Sequence, residues 1–483
     1  MNQHSASGIR IGGEVVSDTT GRRRFESISP IDGDAFGDVL QGTADDALRA
    51  LDSAQRAFRD WALTSVHERA AVLRAIASTL REEATMMGDT SWAWLLSTET
   101  GKRLAEAQGE INFSAVYFDA FADLLLAQRD EYFAVIPGIE HRVEPQPMGV
   151  VAVITPWNFP ISIPARKIAA ALAAGCTVVF RASELAALSS LRLSDVIERF
   201  VPAGVVNTVL GSSSDIVTPW LDRVDAVSFT GSTRVGRIIN QQISSRFTPA
   251  VMELGGNASF VVLDDANVEH AVDTLMVAKF RNNGQSCIGA NNVLIPRSLE
   301  GDFRDALAAA ASKIVVGDPR EATTDLGPLA PAKDPGRIAN LVSDAIAAGG
   351  KALLDQGELP DAGHYAAPQF VLDASPSSAL VADEVFGPAA GVIVYDDLDE
   401  ALALQRSSGY GLASYVCTED PGRADAVAAE LRAGIIGINT ATPNYPGAPF
   451  GGIGLSGVGY EGGRQGLEAH QHFRMIATRT ATP

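Results

Sequence analysis

The sequence predicts an α/β protein built on two successive parallel sheets, on three observations. From residue 149 to residue 254, apolar runs GVVAVI (149–154), CTVVF (176–180), VVNTVL (205–210), DAVSF (225–229) and AVMEL (250–254) alternate with helix-period stretches starting near Ser162, Glu184 and Ser232. Near-continuous Val and Ile runs separated by helices describe βαβ units whose sheet is covered on both faces. A second alternation begins at SFVVL (259–263), and 483 residues are enough for two or three domains with sizeable cores.

Taken in order, the chain to about Leu40 reads as short strands and turns, with Gly12-Gly13 and Asp32-Gly33 as turn signals. Thr43 with Asp46 forms a capping-box pattern ahead of Leu48, Leu51, Ala54, Phe58 and Trp61, which share one helical face. A second helix from Val66 carries Leu73, Ile76 and Leu80, and a third spans about Lys102 to Ala127. From about Asp130 to Gln146 the period changes: Tyr132, Ala134 and Ile136 alternate before Pro137-Gly138, which predicts a protruding hairpin. In the second alternation, helices are expected over Val268–Phe280, Phe303–Ile314, Arg337–Ala348 and Ala424–Leu431, with strands through Val293–Ile295, near Val371 and Val392, and over Ile435–Ile438. The tail QHFRMIATR has the pattern of a strand that returns to the hairpin.

With 58 acidic against 38 basic side chains the net charge is −20, which repels phosphate backbones and anionic lipid surfaces. No basic patch offsets it, and Arg22, Arg23 and Arg24 read as a solvated turn, so neither a nucleic-acid nor a membrane partner is expected. Cys176, Cys287 and Cys417 are widely spaced without CxxC pairing, and the seven His lack ligand spacing, so neither disulfides nor a metal site are predicted. The first residues lack a signal-peptide core and no apolar run reaches membrane-span length, which makes a reducing cytoplasm the expected compartment.

The chemistry centres on Cys287 in FRNNGQSCIGANN (280–292). Asn, Gly, Gln and Ser around it offer donors and little apolar cover, a setting that stabilises a thiolate and suits a nucleophile; the alternative is a small buried hydrophobe. Glu253 ends an apolar strand and precedes Gly255-Gly256, so partial desolvation raises its pKa and fits it to act as a base, with a helix or turn cap as the alternative. GIGLSG from Gly452 and GVGYEG from Gly457 match GxGxxG but follow APFG instead of a strand, and are rejected as dinucleotide sites. FTGSTRVG is the better cofactor candidate, because strand DAVSF ends at Gly231 and Ser232, where a helix opens and its amides attract a pyrophosphate.

TPWNFP (155–160), FTGSTRVG (229–236), ELGGN (253–257), GQSC (284–287) and EVFGP (384–388) resemble, in order and spacing, the motifs of the NAD(P)-dependent aldehyde dehydrogenase superfamily. The resemblance runs over essentially the whole chain. It implies a Rossmann-like NAD-binding domain (1–128 and 148–255), a second α/β catalytic domain (256–455) and a small β-hairpin oligomerisation element (129–147 and 470–483), in a homodimer or homotetramer. It further implies that Cys287 attacks an aldehyde, that the Asn158 amide and the Cys287 N–H hold the oxyanion, and that Glu253 activates the hydrolytic water. The cofactor contacts it implies are Ile154, Trp157, Arg181, Glu184, Gly211, Gly231, Ser232, Glu384 and Phe386, with NAD as the cofactor and NADP as the alternative. Arg181 stands where the family usually has lysine, Ser213 where a second glycine is common, Asn257 for a frequent lysine and Tyr460 for a frequent arginine.

Arg166 in IPARK and Arg281 in FRNNGQSC point to the substrate. The sequence resembles the succinate-semialdehyde branch at these two positions, which implies that both arginines hold a distal carboxylate; the alternative is that they form salt bridges within the protein. That branch has serines before PFGG, whereas this chain has ATPNYPGA, where Asn444 is placed to donate to a carboxylate and Tyr445 to line an aromatic pocket. A lactaldehyde-like or benzaldehyde-like substrate is the second reading, and a non-catalytic protein on the same fold the third.

Overall fold

The computed structural model describes residues 4–355 and 357–480; the outermost residues of the two terminal spans named above, 1–3 and 481–483, lie outside them. The first large sheet has eight strands in the order Gly457–Val458, Ala250–Glu253, Ala226–Thr230, Val150–Ile154, Thr177–Arg181, Val206–Val209, Ile9–Ile11, Glu14–Val15. Its five central strands are mutually parallel and fully or almost fully buried, as predicted by their unbroken apolar runs. The second sheet runs Lys351–Ala352, Gln369–Leu372, Ala389–Tyr395, Ala290–Pro296, Ala258–Val262, Ala413–Cys417, Ile435–Ile438, parallel except at its first strand. The chain passes from the first sheet to the second through Leu254–Asn257, which places Glu253 at their junction, and returns to the first sheet's edge between Ile438 and Gly457.

The predicted capping box holds the helix Ala44–Leu63: Thr43 Oγ1 accepts from Asp46 N at 3.3 Å and Asp46 Oδ2 accepts from Thr43 N at 2.9 Å. The same Asp46 pairs with Arg22, and Arg24 pairs with Asp38, so the basic run is an ion-paired segment instead of a solvated turn. The helix expected from Lys102 starts at Leu104, and a separate helix, Trp92–Thr100, precedes it, closed by Gly101 at φ +76°. Trp92–Thr100 escaped prediction because it is buried on most sides and carries no amphipathic stripe. The helix Leu398–Ser407 and the central strand Ala413–Cys417 were likewise not anticipated.

The hairpin Glu131–Ile136 and Ile139–Pro147 forms, and the tail strand Gln471–Arg479 pairs with its second arm antiparallel, from Gln471 opposite Pro147 to Arg479 opposite Ile139. This three-stranded sheet exposes Tyr132, Val135, Phe473 and Met475, with Val135 at 82% exposure. No helix among the described residues is long and apolar enough to cross a membrane.

Candidate active site

The carboxyl ends of the first sheet's strands gather most of the residues singled out from the sequence. Ile154, Arg181 and Glu253 end their strands, Gly211 follows Val206–Val209, and Gly231 and Ser232 follow Ala226–Thr230. Parallel sheets bind ligands at this edge.

Cys287 reaches the site on a braced turn. After the helix Val268–Phe280, Asn282 (φ +53°), Asn283 (φ +57°) and Gly284 (φ +75°) turn the chain through three left-handed residues, a conformation Asn tolerates better than most. Their side chains hold the turn in place: Asn283 Nδ2 donates to Gly101 O (2.8 Å) and Pro328 O (3.0 Å), Asn282 Nδ2 to Asn158 O (3.0 Å), and Gln285 Oε1 accepts from Ala330 N (3.0 Å). The polar residues around the cysteine are therefore scaffold, not solvent for a thiolate. Cys287 itself is half-buried against the second sheet's core, and burial pushes its thiol up to about 12, with the Glu384 carboxylate adding to the shift and Arg166 opposing it. The expectation of a stabilised resting thiolate does not hold, because desolvation outweighs the nearby dipoles.

Glu253 is 1% exposed, and neither carboxylate oxygen has a hydrogen-bond partner among the described residues. Burial raises its pKa well above the usual carboxylate range, the charge of Glu461 adds to the rise, and Arg166 and Lys167 work against it. The following glycines bring nucleophile and carboxylate strands together: a methyl group at Gly256 would lie 2.0 Å from the Cys287 carbonyl oxygen, a contact that only glycine permits.

Asn158 is buried, and its side-chain amide donates to Gln285 O at 3.1 Å, which leaves its second N–H for another acceptor. Its backbone carbonyl accepts from Lys102 Nζ at 3.0 Å, and Lys102 is paired with buried Glu110, whose other oxygen accepts from Ile161 N (2.9 Å) and Ser162 N (3.1 Å). Among the described residues the Cys287 backbone N–H donates to no protein acceptor. One free donor on each of Asn158 and Cys287 is the makings of an oxyanion hole.

Sequence reasoning missed Lys102, Glu110, Lys167 and Glu461. Glu461 is buried between Arg166, whose Nε lies 2.5 Å from it, and Lys167, whose Nζ also donates to Ser228 Oγ at 3.1 Å. Burial works to raise the Glu461 pKa, but the two cations more than offset it and hold the group below the usual range. Sequence reasoning singled out Tyr460 and rejected GVGYEG as a dinucleotide site, and nothing local marks Glu461 beside them as buried.

On the cofactor side, Trp157 and Phe386 meet edge to face at 5.6 Å, and Glu384 Oε1 accepts from Gly256 N at 3.0 Å. Burial raises the Glu384 pKa to about 7. Ser232 caps the helix Thr233–Ile243, whose first amides face the same edge, and buried Thr155 and Thr230 hydroxyls there have no partner among the described residues. Open amides, orphan hydroxyls and a half-buried aromatic pair fit a dinucleotide. Arg181 donates to Glu184 at 2.8 Å and to Gly211 O at 3.2 Å, so the arginine that departs from the family pattern is bound to the glutamate expected to meet the cofactor.

On the substrate side, a cavity of about 740 Å³ is lined by Phe113, Phe159, Phe280, Arg281, Asn282 and Asn444, among others. Arg281 has no ion pair among the described residues and lies 5.5 Å over the Phe159 ring. Arg166 does not line this cavity: it is buried against Phe450 (4.1 Å) and its charge is matched by Glu461. Asn444 faces the cavity, whereas Tyr445 is 65% exposed and lies outside it, so the aromatic lining comes from Phe113, Phe159 and Phe280 and not from Tyr445.

The family model described as "Aldehyde dehydrogenase family" matches residues 16–476. The chain is 35% identical over 473 residues to a glutarate-semialdehyde dehydrogenase of Pseudomonas putida, covering 96% of each. It is 34% identical over 475 residues to an NADP-dependent succinate-semialdehyde dehydrogenase of Escherichia coli, again covering 96% of each. The solved structure of PnpE in complex with nicotinamide adenine dinucleotide matches with a TM-score of 0.93 at 32% identity, over 100% of this chain and 99% of that one.

Proposed function

This chain belongs to the aldehyde dehydrogenase family, and from that premise we propose that it uses NAD to oxidise an aliphatic semialdehyde bearing a carboxylate, of succinate- or glutarate-semialdehyde size, to the dicarboxylic acid. The observation that carries the substrate reading is Arg281, a cation without an internal partner among the described residues, on the wall of the cavity. A desolvated arginine asks for an anion, and the carboxylate is the group that distinguishes these aldehydes.

In the proposed sequence, the Cys287 thiol gives up its proton to water, and the sulfur attacks the aldehyde carbon to form a thiohemiacetal. The second Asn158 N–H and the Cys287 N–H hold its oxyanion; one such donor is worth roughly 10²–10³ in rate. Bound NAD supplies the acceptor for the hydride that leaves the former aldehyde carbon, which becomes a thioester on Cys287. Glu253 then removes a proton from water as it attacks, and the acid leaves with Cys287 restored. Gly231, Ser232 and the helix start at Thr233 are the proposed pyrophosphate contact, Glu184 the adenosine ribose contact, Ile154, Arg181 and Gly211 its surroundings, and Trp157, Glu384 and Phe386 the nicotinamide-half contacts.

The domain division 1–128 with 148–255, 256–455, and 129–147 with 470–483 remains part of this proposal. So does assembly as a homodimer or homotetramer in the cytoplasm, supported by the apolar side chains that the three-stranded sheet exposes. The test of the reaction is NADH absorbance with succinate semialdehyde, glutarate semialdehyde, butyraldehyde and benzaldehyde. A clear preference for the two carboxylated compounds is expected, and equal efficiency with butyraldehyde or benzaldehyde would overturn the substrate reading.

A further inference from the structure

The loop Glu384–Pro388 adopts a backbone that its own sequence disfavours. Phe386 sits at φ +46°, a left-handed conformation that costs an aromatic residue energy and persists only where the surroundings impose it. The imposing group is identifiable. Arg337, on the helix Asp334–Ala347, donates from Nη1 to Val385 O at 2.8 Å and from Nη2 to Phe386 O at 3.2 Å. Its Nε is held by Asp334 Oδ1 at 3.0 Å, so all three parts of the fork have a fixed partner. Among the described residues no other donor reaches either carbonyl.

The opposite side of the loop is fixed to the reacting residues. A methyl group at Gly284 would lie 2.3 Å from Gly387 O, so the loop lies directly on the turn that carries Cys287. Glu384 accepts from Gly256 N at 3.0 Å, three residues beyond Glu253. Arg337 is thus the clamp on one side of a segment whose other side touches the nucleophile turn and the glycines after the proposed base.

We propose that Arg337 is a positioning residue for the cofactor: by holding the Val385 and Phe386 carbonyls it fixes Glu384 and Phe386 where the nicotinamide half must lie over Cys287. This rests on the reading of Glu384 and Phe386 as cofactor contacts. A planar fork bridges two successive carbonyls in one orientation, whereas a lysine ammonium reaches one of them, so the two side chains are not interchangeable here.

The experiment compares Arg337→Gln, Arg337→Lys and Glu384→Gln with the unaltered enzyme. The readouts are the KM for NAD, the KM for aldehyde, the primary isotope effect with 1-deuterated aldehyde, and the rate of Cys287 alkylation by iodoacetamide without cofactor. Arg337→Gln is expected to raise the NAD KM about tenfold and to increase the isotope effect, leaving aldehyde KM and alkylation rate within about twofold. Arg337→Lys should fall between, and should carry the test if the glutamine variant does not fold. An unchanged NAD KM and isotope effect in both Arg337 variants overturns the proposal, as does a parallel worsening of all four readouts, which marks a merely structural residue. If Glu384→Gln raises the NAD KM while the Arg337 variants do not, the clamp alone is wrong; if Glu384→Gln leaves it unchanged, the cofactor reading beneath it fails as well.

Discussion

Arg166 Nε lies 2.5 Å from the carboxylate of Glu461, and both side chains are buried. The two arginines that the sequence presents as a matched pair therefore differ: one is neutralised inside the protein and the other, Arg281, faces the cavity without an internal acid among the described residues. Arg281→Ala is expected to lower kcat/KM for succinate semialdehyde about 30-fold, the loss of one charge-assisted contact of roughly 2 kcal/mol, and to change butyraldehyde much less. Arg166→Ala should slow every aldehyde alike and lower the melting temperature, because it removes one of the two cations that hold the buried Glu461 carboxylate and leaves only Lys167. Steady-state kinetics with the two aldehydes separates these outcomes, and a charge-selective loss in Arg166→Ala would return it to the role of anchor.

The raised thiol of Cys287 gives a direct readout. With its pKa at about 12, alkylation by iodoacetamide in the absence of cofactor should be slow at pH 7 and accelerate about tenfold per pH unit up to pH 10. Cys287→Ala should abolish both labelling at this site and turnover, while fluorescence titration still detects NAD binding. A pH-independent labelling rate would mean that the thiolate is already formed.

Glu253 must be ionised to act as a base, and its pKa is raised by burial and then by Glu461, so the acid limb of the kcat profile should lie above the range of an ordinary carboxylate. Lys167→Met removes a restraining cation and is expected to move that limb to higher pH, whereas Glu461→Gln removes a like charge and should move it lower, each by up to about one unit. Glu253→Gln should retain a single-turnover burst of NADH while steady-state release slows. Shifts of the same sign in both neighbours would dismiss this electrostatic account.

For Glu384, the raised pKa of about 7 means that the folded protein holds the proton more tightly than an exposed glutamate does. Above pH 7 the carboxylate is charged and accepts strongly from ribose hydroxyls; below it the group is neutral and accepts weakly. The Kd for NAD should therefore rise as pH falls through 7, by up to about tenfold per unit, and Glu384→Gln should flatten the curve. Calorimetric titration from pH 5.5 to 8.5 measures both.

The Arg181 fork is attached to Glu184 and to Gly211 O, which leaves it unavailable to a 2′-phosphate while Glu184 is ionised. NAD should be preferred to NADP. Glu184→Gln removes the like charge and releases the arginine, and is expected to raise kcat/KM with NADP about tenfold or more while weakening NAD. Comparing both cofactors in both proteins decides it, and a wild-type preference for NADP would place Arg181 on the phosphate.

The sheets were legible because parallel strands buried on both faces announce themselves as Val and Ile runs, and helix Val268–Phe280 because its period is regular. The position of Glu253 followed from a strand end, and that of Asn158 from the motif TPWNFP. What sequence could not convey was partnership across distance. Lys167 meets Glu461 294 positions away, and no local pattern marks a lysine or a glutamate as half of a buried pair. The same holds for Asn282, Asn283 and Gln285, whose amides were expected around the sulfur and instead fasten the turn to Asn158, to Gly101 and Pro328, and to Ala330 respectively. Tyr445 lay one residue from a cavity-facing asparagine, and side-chain direction in an irregular loop has no period to read.

The pairing of Gln471–Arg479 with Ile139–Pro147 also sets a timetable for synthesis. Arg474 and Glu144 are 330 positions apart, so the hairpin leaves the ribosome long before its third strand exists. At roughly 5–20 residues per second, the free edge of Ile139–Pro147 waits on the order of tens of seconds with unpaired backbone donors and acceptors. The edge closes only once Gln471–Arg479 has been made, so the nascent chain depends most on chaperones in the interval before that segment emerges.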